Sequence, residues 1–413
     1  MSFRAFAFSW LILLSWFRGR LLTVSIMSLR SSRVVAVALV TAATFIDLVA
    51  YSIAVPVLPD LSLRLGASPT VIGLLFASFG VTVLGVSLPM GVVSDRMGRK
   101  LPMVAGLVAL AASSLLLAQA DRLPWLFAAR LVQGAADAVT WVVGFALIAD
   151  LYGPDERGRV MGLVMSGANF GFMIGPTLGG WLYETGGISL PFVTLAGGAV
   201  LVGLAFLWLR LPDTHSVREA VPARDILRVP AVASCALAVI AAGGTMAMLE
   251  PVLPLFLSAE LHMGPARIGL VFGIAAVAST ALHPVFGHLA DRWGGRRLML
   301  VGLLAIGAVL PFLSFSRSFG SAVALYIAHA VSVSLVVTPS LAFMAEAISA
   351  AGVHSFGVAY GVYNFAWALG LLAGPAAGGF LYERMGFERL TTIWGPALIV
   401  TTALLARKMG SRG

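Results

Sequence analysis

The chain has 413 residues, 59% hydrophobic and only 11% charged, with a mean hydropathy of +0.97, which excludes an ordinary soluble domain and indicates an integral membrane protein. The formal net charge of +9 does not point to nucleic acid, because the basic residues gather at the ends of apolar runs. Cys235 is the only cysteine and Lys100 and Lys408 are the only lysines, neither in a Gly-Lys-Ser/Thr string, so a disulfide, a CxxC site and a Walker A loop are all excluded.

Residues 1–33 read as an N-terminal cytoplasmic extension. Its apolar run from Ala5 to Phe17 has basic flanks but no clear small-residue cleavage site, so Met27 is an alternative start and a membrane-surface anchor is the rival reading. Twelve apolar runs follow, each near the roughly 20 residues that a helical span requires. They cover residues 34–56, 69–93, 101–119, 123–150, 157–183 and 188–211, then 229–257, 266–290, 297–316, 318–350, 356–383 and 387–408. The expected architecture is all-α, with six-helix bundles at 34–211 and 229–408, a charged linker at 212–228 and a tail at 409–413. With the N-terminus inside, 20 of the 27 Lys and Arg fall on the inner side and six outside, while Arg130 lies within a span. This is the positive-inside pattern, with both termini cytoplasmic.

Two carboxylates interrupt the apolar runs. Asp47 lies in the first, nine residues before Pro56, and Glu250 lies in the seventh, in the string MAMLEPVLPLF. An ionised carboxylate at the centre of a membrane helix costs about 2.5–3.5 kcal/mol on insertion scales and usually faces a protein interior or a water-filled path, so transport is the leading function. In the fourth run, Arg130, Gln133, Gly134 and Asp137 share one helical face. His283, His288 and His329 have no metal-ligand spacing and read as satisfied polar residues; no cofactor is expected.

The halves repeat in parallel order. Pro56-Val57-Leu58-Pro59 recurs as Pro251-Val252-Leu253-Pro254, an offset of 195. IGLLF at Ile72 recurs as IGLVF at Ile268, and Asp95-Arg96 as Asp291-Arg292, both at 196; GPTLGGWLYE from Gly175 recurs as GPAAGGFLYE from Gly374, at 199. Parallel repeats of this kind relate two bundles by an axis along the membrane normal and place the substrate site between them near the midplane. The 196 offset also maps Asp150 onto Glu346, which reads as a boundary residue.

These landmarks carry a resemblance. GVVSDRMGRK (Gly91 to Lys100) and its copy GHLADRWGGRR (Gly287 to Arg297) resemble the loop after the second helix in the major facilitator superfamily. The resemblance implies a gating latch that uses Gly91, Asp95, Arg96 and Arg99, with Asp291 and Arg292 in the copy. PDERGR (Pro154 to Arg159) looks like the latch's partner, with Arg157 or Arg159 available to Asp95. The string of Gly175, Pro176, Gly179 and Gly180 resembles the fifth-helix motif of exporters, and Gly374 and Pro375 repeat it as helix-packing positions. ARLVQGAADA resembles a fourth-helix motif whose arginine, here Arg130, assists proton transfer.

Within the superfamily the chain is similar to drug:proton antiporters, above all to vesicular amine transporters. That implies amine binding or proton coupling at Asp47 and a substrate contact at Glu250, with Asn364 and the aromatic residues Tyr360 and Tyr363 on the eleventh helix as further candidates. Phe79 stands where those relatives carry a buried lysine, Leu48 where they carry a polar residue, and Asn364 where they carry an aspartate, while Asp137 is an added acid. The expected protein is a monomer in a bacterial inner membrane that exchanges protons for organic cations or drugs. An exporter of neutral or anionic solutes is the alternative, and a non-transporting receptor is a third reading.

Overall fold

The computed structural model describes residues 33–209, 229–350 and 356–410, so the expected linker, Met27 and residues 411–413 lie outside the described residues. The first half comprises α1 (Arg33–Arg64), α2 (Pro69–Met97), α3 (Lys100–Ala118), α4 (Leu123–Leu151), α5 (Pro154–Gly186) and α6 (Ser189–Trp208). The second comprises α7 (Pro230–Leu261), α8 (Pro265–Trp293), α9 (Gly295–Val309), α10 (Phe319–Ala350) and α11 (Phe356–Gly410). A 3-10 turn, Leu310–Phe315, extends α9 to membrane length, with Pro311 at its second residue. Gly386, with φ of 75°, breaks α11 into arms 356–385 and 387–410, which supply two spans. Among the described residues there is no strand.

Proline starts many of these helices at a position whose N–H has no partner to lose, as at Pro69, Pro154, Pro230 and Pro265. Two boundaries differ from the sequence reading. α1 continues past Pro56 through Pro59 to Arg64, because both prolines are buried where neighbouring helices hold the backbone, and α7, already read through Pro251 and Pro254, runs on from 257 to Leu261. PDERGR is not a loop; it opens α5.

Each half packs by the same plan, α1 along α5 and α7 along α11. Gly175 and Gly179 give α5 its approach to Ser52 and Ile53 of α1, and Gly374 abuts Gly244 of α7. The halves meet along two seams, α2 with the first arm of α11 and α5 with α8. A Cβ on Gly73 would overlap the Pro375 carbonyl, and one on Gly269 would overlap that of Pro176. Likewise Gly379 faces the Pro69 carbonyl and Gly180 the Pro265 carbonyl. The seams are therefore copies of each other under the sequence repeat, and only glycine allows backbones this close.

Candidate functional site

The bundle has a basic face, carrying 91–100 and 287–297, and a far face, carrying the turns that precede α2, α4, α8 and α10. Between them α1, α2, α4 and α7 bring a polar cluster to mid-helix. Asp47, Arg130, Gln133 and Glu250 are 1–3% exposed and Asp137 is 9% exposed.

Asp47 accepts a hydrogen bond from the Trp141 indole at 3.1 Å, and its carboxyl lies beside that of Asp137. The Tyr51 hydroxyl donates to Glu250 Oε2 at 2.7 Å, joining α1 to α7 across the halves, while Glu250 Oε1 has no protein partner.

Arg130 donates from Nη1 to Gln133 Oε1 at 2.7 Å. Its guanidinium stands over the rings of Phe79, Phe76 and Tyr51, with centroids at 4.7, 5.3 and 5.8 Å, and it attracts both Glu250 and Asp137. Aromatic faces thus hold this cation between acids, each contact contributing roughly 0.5–2 kcal/mol. Where the resemblance implies a lysine, Phe79 instead lies under the Arg130 guanidinium. Asp137, which the sequence placed two turns from Arg130 as a separate group, is instead a direct neighbour of Asp47.

The eleventh-helix candidates are not all gathered here. Asn364 is exposed, Tyr363 is buried within 3.5 Å of Ser340 Oγ, and the side chain of Tyr360 lies outside the described residues. Tyr51 and Trp141 are direct partners of the acids, Tyr51 of Glu250 and Trp141 of Asp47. Tyr326 and His329 were missed. Tyr326 lies in the field of Glu250 and packs its ring 5.8 Å from that of His329. His329 is 1% exposed with neither ring nitrogen hydrogen-bonded, so it is not the satisfied histidine expected, whereas His283 does pair with Ser334 at 3.1 Å. The repeat held the signal, since the 196 offset takes Arg130 and Gln133 onto Tyr326 and His329.

At the basic face, Asp95 pairs with Arg99 at 2.6 Å, and Arg99 reaches Asp150 at 2.8 Å and Ser94 at 2.7 Å. This corrects the expected partnership with Arg157 or Arg159. Arg157 donates to the carbonyls of Ala149 at 2.6 Å and Tyr152 at 3.3 Å and so caps the end of α4, and Arg159 is exposed. Burial works to lower the Arg99 pKa, but its bonds to Asp150 and Asp95 outweigh that and raise it. Gly91 lines the same cleft, while Arg96 is exposed. The second-half copy lacks this network's centre because Gly295 stands at the repeat position of Arg99; Asp291, Arg292 and Glu346 are exposed.

Comparison with known proteins agrees with this architecture. The family model for the Major Facilitator Superfamily matches residues 40–240 and again 235–410. The human synaptic vesicular amine transporter is 28% identical over 327 residues, 78% of this chain and 64% of the relative, and the human vesicular acetylcholine transporter is 30% identical over 357 residues, 82% and 66%. The chain spans about 64% of the length of the first curated relatives it matches. Among solved structures, a nucleoside transporter aligns with a TM-score of 0.74 at 13% identity, covering 91% of this chain and 100% of that one. A bacterial homologue of the human lysosomal transporter Spinster, inward-facing and occupied, aligns at 0.73 and 15%, covering 91% and 96%. Two repeated bundles, paired glycine seams and two matches to one family model, one in each half, have a single reading: the chain belongs to the Major Facilitator Superfamily of membrane transporters.

Proposed function

We propose that the protein is a proton-coupled antiporter that exports organic cations or hydrophobic drugs by alternating access. The observation that carries this reading is the mid-helix cluster, in which one guanidinium, Arg130, attracts Glu250 and Asp137, and Asp137 in turn adjoins the third carboxyl, Asp47. Fully ionised, it holds two negative charges in excess, a state that a low-dielectric interior opposes. Protons or an organic cation neutralise it equally well, which is the exchange an antiporter needs. Each excludes the other because both use the same oxygens. The relatives named for amine and acetylcholine transport support a cationic substrate.

The distribution of basic residues supports a cell-membrane orientation with the basic face and both termini cytoplasmic. Asp47 and Glu250 contact the substrate or its protons, Arg130 and Asp137 tune them, and the Asp95–Arg99–Asp150 network gates the cytoplasmic side. The protein functions as a monomer of two bundles, 34–211 and 229–408, joined by the linker 212–228.

The test is flux in proteoliposomes carrying the purified protein under an imposed pH gradient, with tetraphenylphosphonium as cationic probe. Gradient-driven accumulation that other organic cations compete away is expected. Accumulation of a neutral or anionic probe without competition by cations would move the protein to the alternative class, and no flux of any probe would leave a receptor.

A further inference from the structure

The duplicated glycine string ends, in each half, in a glutamate that leaves its own bundle. Glu184, the last residue of GPTLGGWLYE, accepts a hydrogen bond at 2.9 Å from the backbone N–H of Ala266, in the first turn of α8. Glu383, the last residue of GPAAGGFLYE, accepts at 2.8 Å from the N–H of Thr70, in the first turn of α2, and at 2.7 Å from the Ser68 hydroxyl. Thr70 and Ala266 are repeat partners at the 196 offset, so the contacts are two copies of one device. Each sets an anion on the unpaired N–H groups and positive dipole end of a helix of the opposite half.

We propose that Glu184 and Glu383 are transport residues in their own right, a pair of latches that hold the far face closed and release when the halves rock apart. Three features carry this. Both glutamates cross between halves, whereas the nearby Asp60 stays within one, accepting from Tyr183 at 2.8 Å and Arg64 at 2.9 Å. Both close a seam where glycine already brings backbones into contact, so the capping geometry exists only while the seam is shut. The two are also unequal. Ser68 gives Glu383 an added donor, while its repeat position is Gly264, where a Cβ would overlap Glu184 Oε1. The α2–α11 seam is therefore the more strongly latched, and opening begins at α5–α8.

The proposal rests on alternating access, but its test reads a distance rather than transport, so the two fail separately. In a Cys235→Ala background, spin labels at Asp121→Cys and Gly320→Cys, both exposed on the far face of opposite halves, report the gap by electron–electron resonance. Loss of these charge-assisted bonds in Glu184→Ala/Glu383→Ala is expected to lower the ratio of short to long distances by about tenfold, with Glu383→Ala alone shifting it more than Glu184→Ala. Should the double alanine variant fail to yield folded protein, Glu184→Gln/Glu383→Gln decides, since glutamine keeps an acceptor but not the charge and is expected to give a smaller shift in the same direction. Asp60→Ala is expected to leave the distribution unchanged. An unshifted distribution in the glutamate variants, or an equal shift in Asp60→Ala, overturns the proposal.

Discussion

Placing a lysine at position 79, as the resemblance to amine transporters implies for the second helix, should harm this protein. Phe79 lies under the Arg130 guanidinium at 4.7 Å, so Phe79→Lys exchanges an attractive ring for a second cation at about the same place. With the neighbouring acids protonated at low pH, where they offer the new lysine no compensating charge, two unit charges at that separation repel by about 3.5 kcal/mol at an effective dielectric constant of about 20. The lost ring contact adds roughly 0.5–2 kcal/mol. Phe79→Leu loses the ring contacts with Arg130 and with Tyr51, at 5.0 Å, but adds no charge. Thermal unfolding of purified protein should therefore show a much larger fall in midpoint for Phe79→Lys than for Phe79→Leu. Adding Arg130→Gln should recover most of the loss, because it removes the repulsion. A Phe79→Lys variant as stable as wild type, or no recovery in the double variant, would refute the view that Arg130 has taken over the lysine's place.

Asp47→Asn and Glu250→Gln should each abolish pH-gradient-driven efflux while the protein still reaches the membrane, as scored by proteoliposome flux and membrane immunoblot; normal flux in both would remove their assigned role. Because Asp47 and Asp137 touch, their Asn variants should be non-additive in substrate affinity by about 0.5–3 kcal/mol in a double-mutant cycle, and strict additivity would separate the two acids. Asp150→Asn should destabilise by about 1.5–3 kcal/mol, because Arg99 loses its most buried charged partner but keeps Asp95 and Ser94. Arg157→Ala, which removes only a helix cap, should cost far less, and chemical denaturation that ranks the two the other way would restore the expected latch partnership.

The fold was largely readable because lipid imposes simple rules. Apolar length located the spans, and the recurrence of GPTLGG as GPAAGG located matching helices in the two halves. What misled was local. Pro56 looked like the end of the first helix, yet burial among neighbouring helices carries the backbone past it and past Pro59. Within the site, Asp47, Glu250, Arg130 and Asp137 stood out because charge in an apolar run is costly, but which charges touch depends on helix rotation, and sequence spacing says nothing of that across chain segments. Tyr51 drew no assignment because an aromatic ring costs little in a membrane helix, and His329 was read as a satisfied polar residue because sequence spacing does not show which partners reach it. Arg157 was assigned to Asp95 on proximity of loops; Arg99, four residues from Asp95 along the chain, was nearer and already buried.

The cluster is unevenly divided between the halves. Asp47, Asp137 and Arg130 belong to the first, whereas Glu250 is the second half's acidic contribution, and its bond from Tyr51 spans the division. Rocking the halves apart at the far face must therefore separate Glu250 from Tyr51, while the contacts of Asp47 with Trp141 and Asp137, all within one bundle, need not change. The conformational step then acts on one carboxyl of the three. On the antiport reading proposed above, Glu250 would gain access to the far medium and lose its donor together, the point at which bound cation would be exchanged for proton, while the Asp47–Asp137 pair stays within one bundle.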